Sequence, residues 1–246
     1  MLQIFVDPSA RQGDLLTVQG SEYNHIRNVL RMKPGEEVSV RFEEDPDEYR
    51  FGIESFSEDA VLLRLRFVKS ADAELPVRVY LFQGLPKSDK MELILQKAVE
   101  LGACRIIPVE TARSVVKLDD KRAEKKAARW QTIAESAASQ SHRGALPQVM
   151  PVMSFKEALE LAKNECGVRL IPYELQEPGK TRGILDQIKP GDSVAVFIGP
   201  EGGFEPGEVE AAKEAGFVPI SLGRRILRTE TAGLAFLSFM IYCLEL

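Results

Sequence analysis

Residues 194–207 read VAVFIGPEGGFEPG, an apolar strand running into a glycine-rich loop and then a proline-led helix start. Glycines at such a junction permit positive φ and let a ligand approach the backbone. Phosphate-binding loops of this type carry a lysine after the last glycine, or a G-x-G-x-x-G spacing that bares amides at a helix N-terminus. This loop has neither. At its centre stands a carboxylate, Glu201, which would repel a phosphate. The residue types suit a ligand with positive charge and no phosphate, such as a cationic nucleoside of the S-adenosylmethionine kind. They also suit a purely structural β-to-α turn. Two further segments fall just beyond expected strands, where open α/β sheets bind ligands. These are Pro172-Tyr173-Glu174 and LGRRILRTETA at 222–232.

The elements that would carry these loops begin at residue 77, where strands and helices alternate as in a mostly parallel sheet covered by helices. Strands are expected at 77–85, 104–110, 168–174, 193–199 and 217–222. Helices are expected at 88–102, about 119–140, 154–165, 206–216 and about 229–244. In the first of these helices Asp89 and Glu92 have capping-box spacing, Met91, Ile94, Leu95, Ala98 and Leu101 share a face, and Gly102 fits the C′ position. The last, TETAGLAFLSFMIYCLEL, is apolar nearly all round yet too short for a bilayer, so it must be buried in a core or against another subunit. Residues 1–70 read instead as short strands (14–20, 37–42, 49–57, 60–68) with one helix, in which Ser21 caps and Ile26, Val29 and Leu30 form the apolar face. A small β-barrel is the natural reading for this part, with a domain boundary at 72/73 inside the linker KSADAELP.

Of 246 residues, 44% are hydrophobic and 28% charged, as in ordinary globular proteins. No apolar run is long enough to span a membrane, and the N-terminus lacks the basic and apolar regions of a signal peptide. Three scattered cysteines (Cys104, Cys166, Cys243) and two histidines fit a reducing cytoplasm with no disulfide framework and no metal centre. The net charge of −5 does not by itself mark a nucleic-acid binder. All of that excess lies in residues 1–72, which hold 9 basic and 14 acidic residues, so the remainder is balanced. Basic residues gather at 113–143 (Arg113, Lys117, Lys121, Arg122, Lys125, Lys126, Arg129, Arg143), diluted by four acids. On charge alone that run also fits a solvated helix face with i,i+4 pairs.

GPEGGF (199–204) followed by SLGRRILRTETA (221–232) closely resembles the paired loops of the SPOUT class of RNA methyltransferases. NHIRNVLRMKPGE (24–36), KSDKMELILQKAVELG (87–102), RSVVK (113–117) and RWQTIAESAASQSHR (129–143) are similar to the branch of that class that methylates N3 of a uridine in 16S ribosomal RNA. The resemblance covers nearly the whole chain. It implies a trefoil-knotted α/β domain over 73–246, a PUA-like RNA-binding barrel over 1–72, S-adenosylmethionine as cofactor and a homodimer acting on the small ribosomal subunit. The knot comes from the resemblance alone, since chain-connection rules argue against knots.

The resemblance places the cofactor against Tyr173, Glu174, Gly199, Pro200, Glu201, Gly202, Gly203, Leu222, Gly223, Ile226, Leu227, Arg228, Thr231 and Ala232. Methylating an imide nitrogen requires loss of its proton, so a cation beside O2 or O4 and a proton acceptor are needed. Arg228 is the candidate for the cationic role, or else an ion-pair partner of Glu230. Glu230 is a candidate base or orienter, or a helix-start acid. Glu201 faces the cofactor's charged end or caps a turn. His25, Arg27, Arg31, Arg113, Lys117, Gln140 and Arg143 are candidate RNA contacts, each equally readable as a surface or structural polar residue. Gln140 and Ser141 could bond a base edge, His142 reads as a proton shuttle or a surface residue, and Trp130 as core or, alternatively, a stacking platform for RNA. A methyltransferase acting on another RNA position, such as a tRNA ribose, and a non-catalytic RNA-binding assembly factor are the rival readings.

Overall fold

The computed structural model describes residues 1–42, 45, 47–70, 73–173 and 180–246. Its contacts separate Met1–Glu74 with Ala138–Leu146 from Leu75–Ala137 with Pro147–Leu246. Nothing in the sequence pattern announced that 138–146 belongs with the first unit.

In the first unit, β1 (Gln3–Val6), β2 (Arg11–Gln12), β3 (Leu15–Gln19), β4 (Glu37–Phe42), β5 (Asp47–Phe56) and β6 (Ala60–Ser70) form a sheet ordered β1-β4-β5-β6-β3-β2. Only the β1–β4 pairing is parallel. Alternation is plain in β3, where Leu16 and Val18 point inward and Thr17 and Gln19 outward. They join Ile4, Ile26, Val38, Val40, Phe51 and Leu63 in one core.

The expected helix after β3 takes a different form. α1 (Gly20–Asn24) starts after Gln19 with no side-chain cap, so Ser21 does not cap it. A π-helical turn, His25–Val29, follows, closed by Leu30 N–H donating to the His25 carbonyl at 2.9 Å. The wider turn changes the facing of successive residues. Ile26 is fully buried, but Val29 and Leu30, expected beside it, are exposed.

Segment 138–146 adds a polar core to this unit. The Gln3 side-chain amide donates to the Arg143 carbonyl at 2.8 Å. The Arg143 guanidinium grips Glu74 through Nε at 2.8 Å and Nη2 at 2.5 Å, and the Gly144 amide adds a third bond to that carboxylate. Arg41, 1% exposed, lies in the same unit with Glu48 at 3.9 Å, and Glu48 also accepts from Ser39. Arg143 is only 2% exposed. The RNA-contact expectation for Arg143 therefore gives way to a structural role.

In the second unit, β7 (Arg78–Gly84), β8 (Ala103–Glu110), β9 (Gln148–Val149), β10 (Met153–Ser154), β11 (Val168–Pro172), β12 (Ser193–Ile198) and β13 (Val218–Ile220) are all parallel to their neighbours. The order is β10-β8-β7-β12-β11-β13, with β9 also on β8. The central strand β12 is buried at every position, as expected of a parallel strand covered on both faces. Phe82 and Phe197 stack across β7 and β12 at 4.4 Å.

Helices α2 (Lys90–Glu100), α3 (Asp120–Gln140), α4 (Phe155–Glu165), α5 (Thr181–Leu185), α6 (Pro206–Glu214) and α7 (Thr229–Leu244) complete the unit, α3 running on into 138–140. α2 buries Met91, Ile94, Leu95, Ala98 and Val99 at helical spacing. Its expected capping box does not form. Asp89 makes no side-chain cap bond, and Glu92 turns to Arg129 at 2.8 Å. Gly102 does close the helix, with φ +95°. Trp130 is core, at 3% exposure. Burial pushes the Cys166 thiol up to about 12, which makes it inert at neutral pH. Among the described residues no helix is long and apolar enough to cross a membrane.

α7 packs on α2, β7 and β12, with Gly233 so close that an added Cβ would sit 3.3 Å from Leu81. β13, by contrast, is at the sheet edge beside β11. Residues 221–228 must therefore return across the carboxyl ends of β11 and β12. The same region needs Gly84, because a Cβ there would lie 2.7 Å from Pro200 Cδ and 2.8 Å from its nitrogen. Gly84→Ala should lose about 1–3 kcal/mol in chemical denaturation, the usual cost of overpacking. Gly167→Ala, with no atom within 4 Å of its added Cβ, is the control that should stay near wild type.

Candidate functional site

Where the return segment passes the ends of β11 and β12, it encloses a cavity of about 420 Å³. That is the volume class of small-molecule sites. Pro172 and Tyr173 wall it after β11, Ile198–Phe204 after β12, and Ser221–Thr229 along the return segment, with Lys90, Arg113 and Ala232 completing the lining.

The glycine loop is held in shape from within and without. Gly203, at φ +66°, donates its N–H to the Pro200 carbonyl at 2.9 Å. A Cβ on Gly199 would lie 3.2 Å from the Gly203 backbone, so the loop closes tightly on itself. Arg113 donates from Nη1 to the Gly202 carbonyl at 2.9 Å. Behind the loop, the Thr229 hydroxyl donates to the Gly199 carbonyl at 2.6 Å and accepts from the Gln83 side-chain amide at 2.9 Å. α6 starts immediately after, with Pro206 at its head and a reciprocal Glu205–Glu208 capping box.

Lys90 organises the charges. Its ammonium lies 3.1 Å from Glu201 and 3.1 Å from Glu230. Both contacts raise its pKa. Glu201 also accepts from the Lys87 backbone N–H at 3.1 and 3.2 Å. Burial alone would push the Glu201 carboxyl up, but its own backbone amide, Lys90 and Lys87 outweigh burial and hold it below the ordinary value of 4.5. Glu230 is lowered first by its own backbone N–H in the opening turn of α7, with Lys90 and Arg228 adding to this against burial. Two carboxylates sharing one ammonium leave the cluster one unit negative.

The structure thus brings Tyr173, the whole of 199–203, Leu222, Gly223, Ile226, Leu227, Arg228 and Ala232 to one cavity. Thr231 is exposed in the first turn of α7 and is not part of the lining, and Glu174 lies outside the described residues. Glu230 stands behind the wall, on Lys90. Arg113, expected on RNA, is a wall residue. Arg27 is occupied in its own unit, donating to the Tyr23 hydroxyl at 2.6 Å and to the Ser57 carbonyl. Lys117 pairs with Glu110 at 2.5 Å but stays 66% exposed, and His25, Arg31 and Gln140 are exposed. Sequence reasoning missed Lys90, Gln83 and Thr229. Lys90 left a signal: a lysine at the first position of a helix opposes the helix dipole and needs local anions. Among the described residues no group of three His, Cys, Asp or Glu side chains is placed to hold a metal ion.

An RNA methyltransferase domain model matches residues 73–241, and an RNA methyltransferase PUA domain model matches 18–65. The chain is 40% identical to ribosomal RNA small subunit methyltransferase E of Bacillus subtilis, over all of this chain and 98% of that one. The chain belongs to the ribosomal RNA small subunit methyltransferase E family. A crystal structure of the Neisseria gonorrhoeae family member, bound to S-adenosyl methionine, superposes with a TM-score of 0.84 at 31% identity, covering 98% of this chain and 97% of that one. A Legionella pneumophila methyltransferase structure with its bound cofactor gives 0.86 at 31% identity, covering 98% and 97%. The fold is that of the SPOUT methyltransferases with an N-terminal PUA-like sheet, as the resemblance implied.

The charge cluster makes its own forecast. Glu201 and Glu230 release protons more readily folded than unfolded, so their stabilisation is present above about pH 4.5 and is lost as pH falls through the depressed folded values. Calorimetric scans should therefore show the wild-type Tm falling more steeply below that pH than the Tm of a Glu201→Gln/Glu230→Gln variant. Parallel curves would contradict the depressed carboxylates. At neutral pH, Lys90→Met should destabilise the fold less in a Glu230→Gln background than in wild type, a non-additivity read in the double-mutant cycle.

Proposed function

We propose that this protein transfers a methyl group from S-adenosylmethionine to N3 of a uridine in the 16S RNA of the small ribosomal subunit. The observation that carries the reading is the cavity itself, where GPEGG and LRTETA meet beyond the carboxyl ends of the central strands in a chain of this family. The residues fit the cofactor. The cavity is of nucleoside size, the 199–203 and 222–227 backbone can read an adenosine, and Glu201 puts a carboxylate on the glycine loop for the cofactor's positive end. When bound, the cofactor supplies an electrophilic methyl group.

The chain's own contribution is alignment and charge. Gly199–Gly203, Leu222–Leu227 and Tyr173 line the cavity and fix the donor's place. Arg228, exposed on the cavity rim, holds the negative charge that develops on O2 or O4 of the uracil as N3 loses its proton. Glu201 and Glu230 are poor bases, because their pKa values are lowered and Lys90 already occupies both. Their part is to position the loop and the start of α7, and the N3 proton leaves to water at the open rim. His25, Arg31, Lys117 and Gln140 remain the exposed candidates for RNA contact away from the cavity, and 1–72 is the RNA-holding module. A second copy of the chain would cover the apolar side chains left on α2 and α7, where Leu93 is 46% and Tyr242 70% exposed. The reaction belongs in the cytoplasm, where small subunits are assembled.

The test is methyl transfer from labelled S-adenosylmethionine to small subunits that lack their native methylations, with digested nucleosides read by mass spectrometry. Wild type should produce 3-methyluridine. Arg228→Ala should lower kcat about 10²–10³-fold, the typical cost of removing one donor at a developing oxyanion. Label on a ribose or another base would overturn the assigned target. Label nowhere, with no cofactor-dependent rise in Tm, would favour a non-catalytic RNA-binding factor.

A further inference from the structure

The return segment leaves β13 at Ser221, turns at Gly223 with φ +117°, and exposes four consecutive residues, Gly223 to Ile226. Ile226 is 86% exposed, and among the large apolar side chains of the described residues only Leu246 is more so. Single exposed apolar residues are common and need no explanation. This one has a particular setting. It stands on the lip of the candidate cavity, flanked by Arg224, Arg225 and Arg228. None of these three guanidiniums has a carboxylate within ion-pair reach among the described residues, whereas Arg113 and Arg129 are each paired. An apolar tip ringed by unpaired cations matches a polyanion with apolar faces between its charges, which is the make-up of an RNA strand.

We propose that Ile226 is an RNA wedge: its side chain enters the base stack at the point the target nucleotide vacates, while Arg224 and Arg225 hold the flanking phosphates. The inference rests on the reaction set out under Proposed function. N3 lies in the middle of the Watson–Crick edge of uracil, so a base that is to be methylated there must leave its neighbours and enter the cavity. Extrusion costs unstacking energy, and an apolar side chain in the gap recovers part of it. Arginine suits the flanking role because its planar fork binds phosphate oxygens in pairs. A chain that is net negative needs such local, unneutralised cations to meet RNA at the reaction centre. Ile226 borders the cavity, yet at this exposure most of its side chain is open to solvent. Truncating it should therefore act on RNA more than on the cofactor.

Full-length variants would be compared on small subunits lacking native methylations, with binding of S-adenosylhomocysteine measured in parallel. Ile226→Ser should lower kcat for 3-methyluridine formation at least about tenfold, as expected for an interaction made only on the way to the transition state. Its S-adenosylhomocysteine affinity should change less than about threefold, and Ile226→Leu should restore most of the rate. Arg224→Gln/Arg225→Gln should flatten the slope of log affinity for subunits against log salt by about 1.4, or about 0.7 for each lost phosphate contact.

Wild-type turnover in Ile226→Ser would overturn the wedge. So would a loss of S-adenosylhomocysteine affinity as large as the loss of rate, which would make Ile226 a cofactor wall. A shift in sedimentation from dimer to monomer would assign the lip to a subunit contact instead. An unchanged salt slope in the double variant would remove the phosphate contacts. A wild-type chain that methylates a different nucleoside would overturn the assigned reaction itself, an outcome separate from any behaviour of the variants.

Discussion

One buried hydroxyl joins the parts on which the site depends. Thr229 sits at the first position of α7, donates to the Gly199 carbonyl and accepts from the Gln83 amide at the end of β7. It thereby ties together a central strand, the glycine loop and the last helix, which are far apart in sequence. Without it the Gly199 carbonyl would lose this donor and the Gln83 amide would keep only its bond to the Gly84 carbonyl. Close packing supports the same junction: Gly84 admits the Pro200 turn, and Gly233 admits α7 against Leu81.

Around that junction the electrostatics are arranged by sharing. Lys90 at the positive end of α2 is unfavourable for a lysine taken alone, and its two carboxylates reverse the balance. The same sharing makes Glu201 a strut rather than a reactive group, which resolves why a glycine-rich loop carries an acid. Its oxygens reach the Lys87 amide and Lys90, so the carboxylate braces the loop against the segment leading into α2.

Much of this was legible in the sequence where the cause was local. The periodicity of α2, the all-round apolar character of α7, the unbroken apolar run of β12 and the glycine-rich turn after it followed from the residues themselves, while the pairing of GPEGG with LRTETA came from the family resemblance. The misses share a different cause. Asp89 does not cap because its backbone is turn-like (φ −89°, ψ 11°) and the Glu92 N–H bonds the Asp89 carbonyl instead, while the Glu92 side chain pairs with Arg129 on another helix. Val29 and Leu30 faced outward because one extra residue in a π turn rotated them, which a 3.6-residue pattern cannot anticipate. Arg143 looked like a surface cation because its partner Glu74 is distant in sequence. The two carboxylates that Lys90 meets, Glu201 and Glu230, are likewise distant from it in sequence. Long-range pairing of charges carries no period, so it is invisible until the chain is folded.

The placement of Ala138–Leu146 with Met1–Glu74 has a bearing on how the molecule comes into being. Glu74 and Gln3 are among the early residues to be synthesised, yet both find their buried partners on Arg143 and its neighbours. A chain emerging from the ribosome cannot complete its first unit when that stretch of sequence is finished. The polar core around Glu74 stays open until residue 146 is out, by which time β7, α2, β8 and most of α3 have also been made. The usual order, in which an N-terminal domain is finished before the next begins, is not available to this topology. The early unit is held incomplete by a splint that arrives late, after the opening elements of the second have already been made.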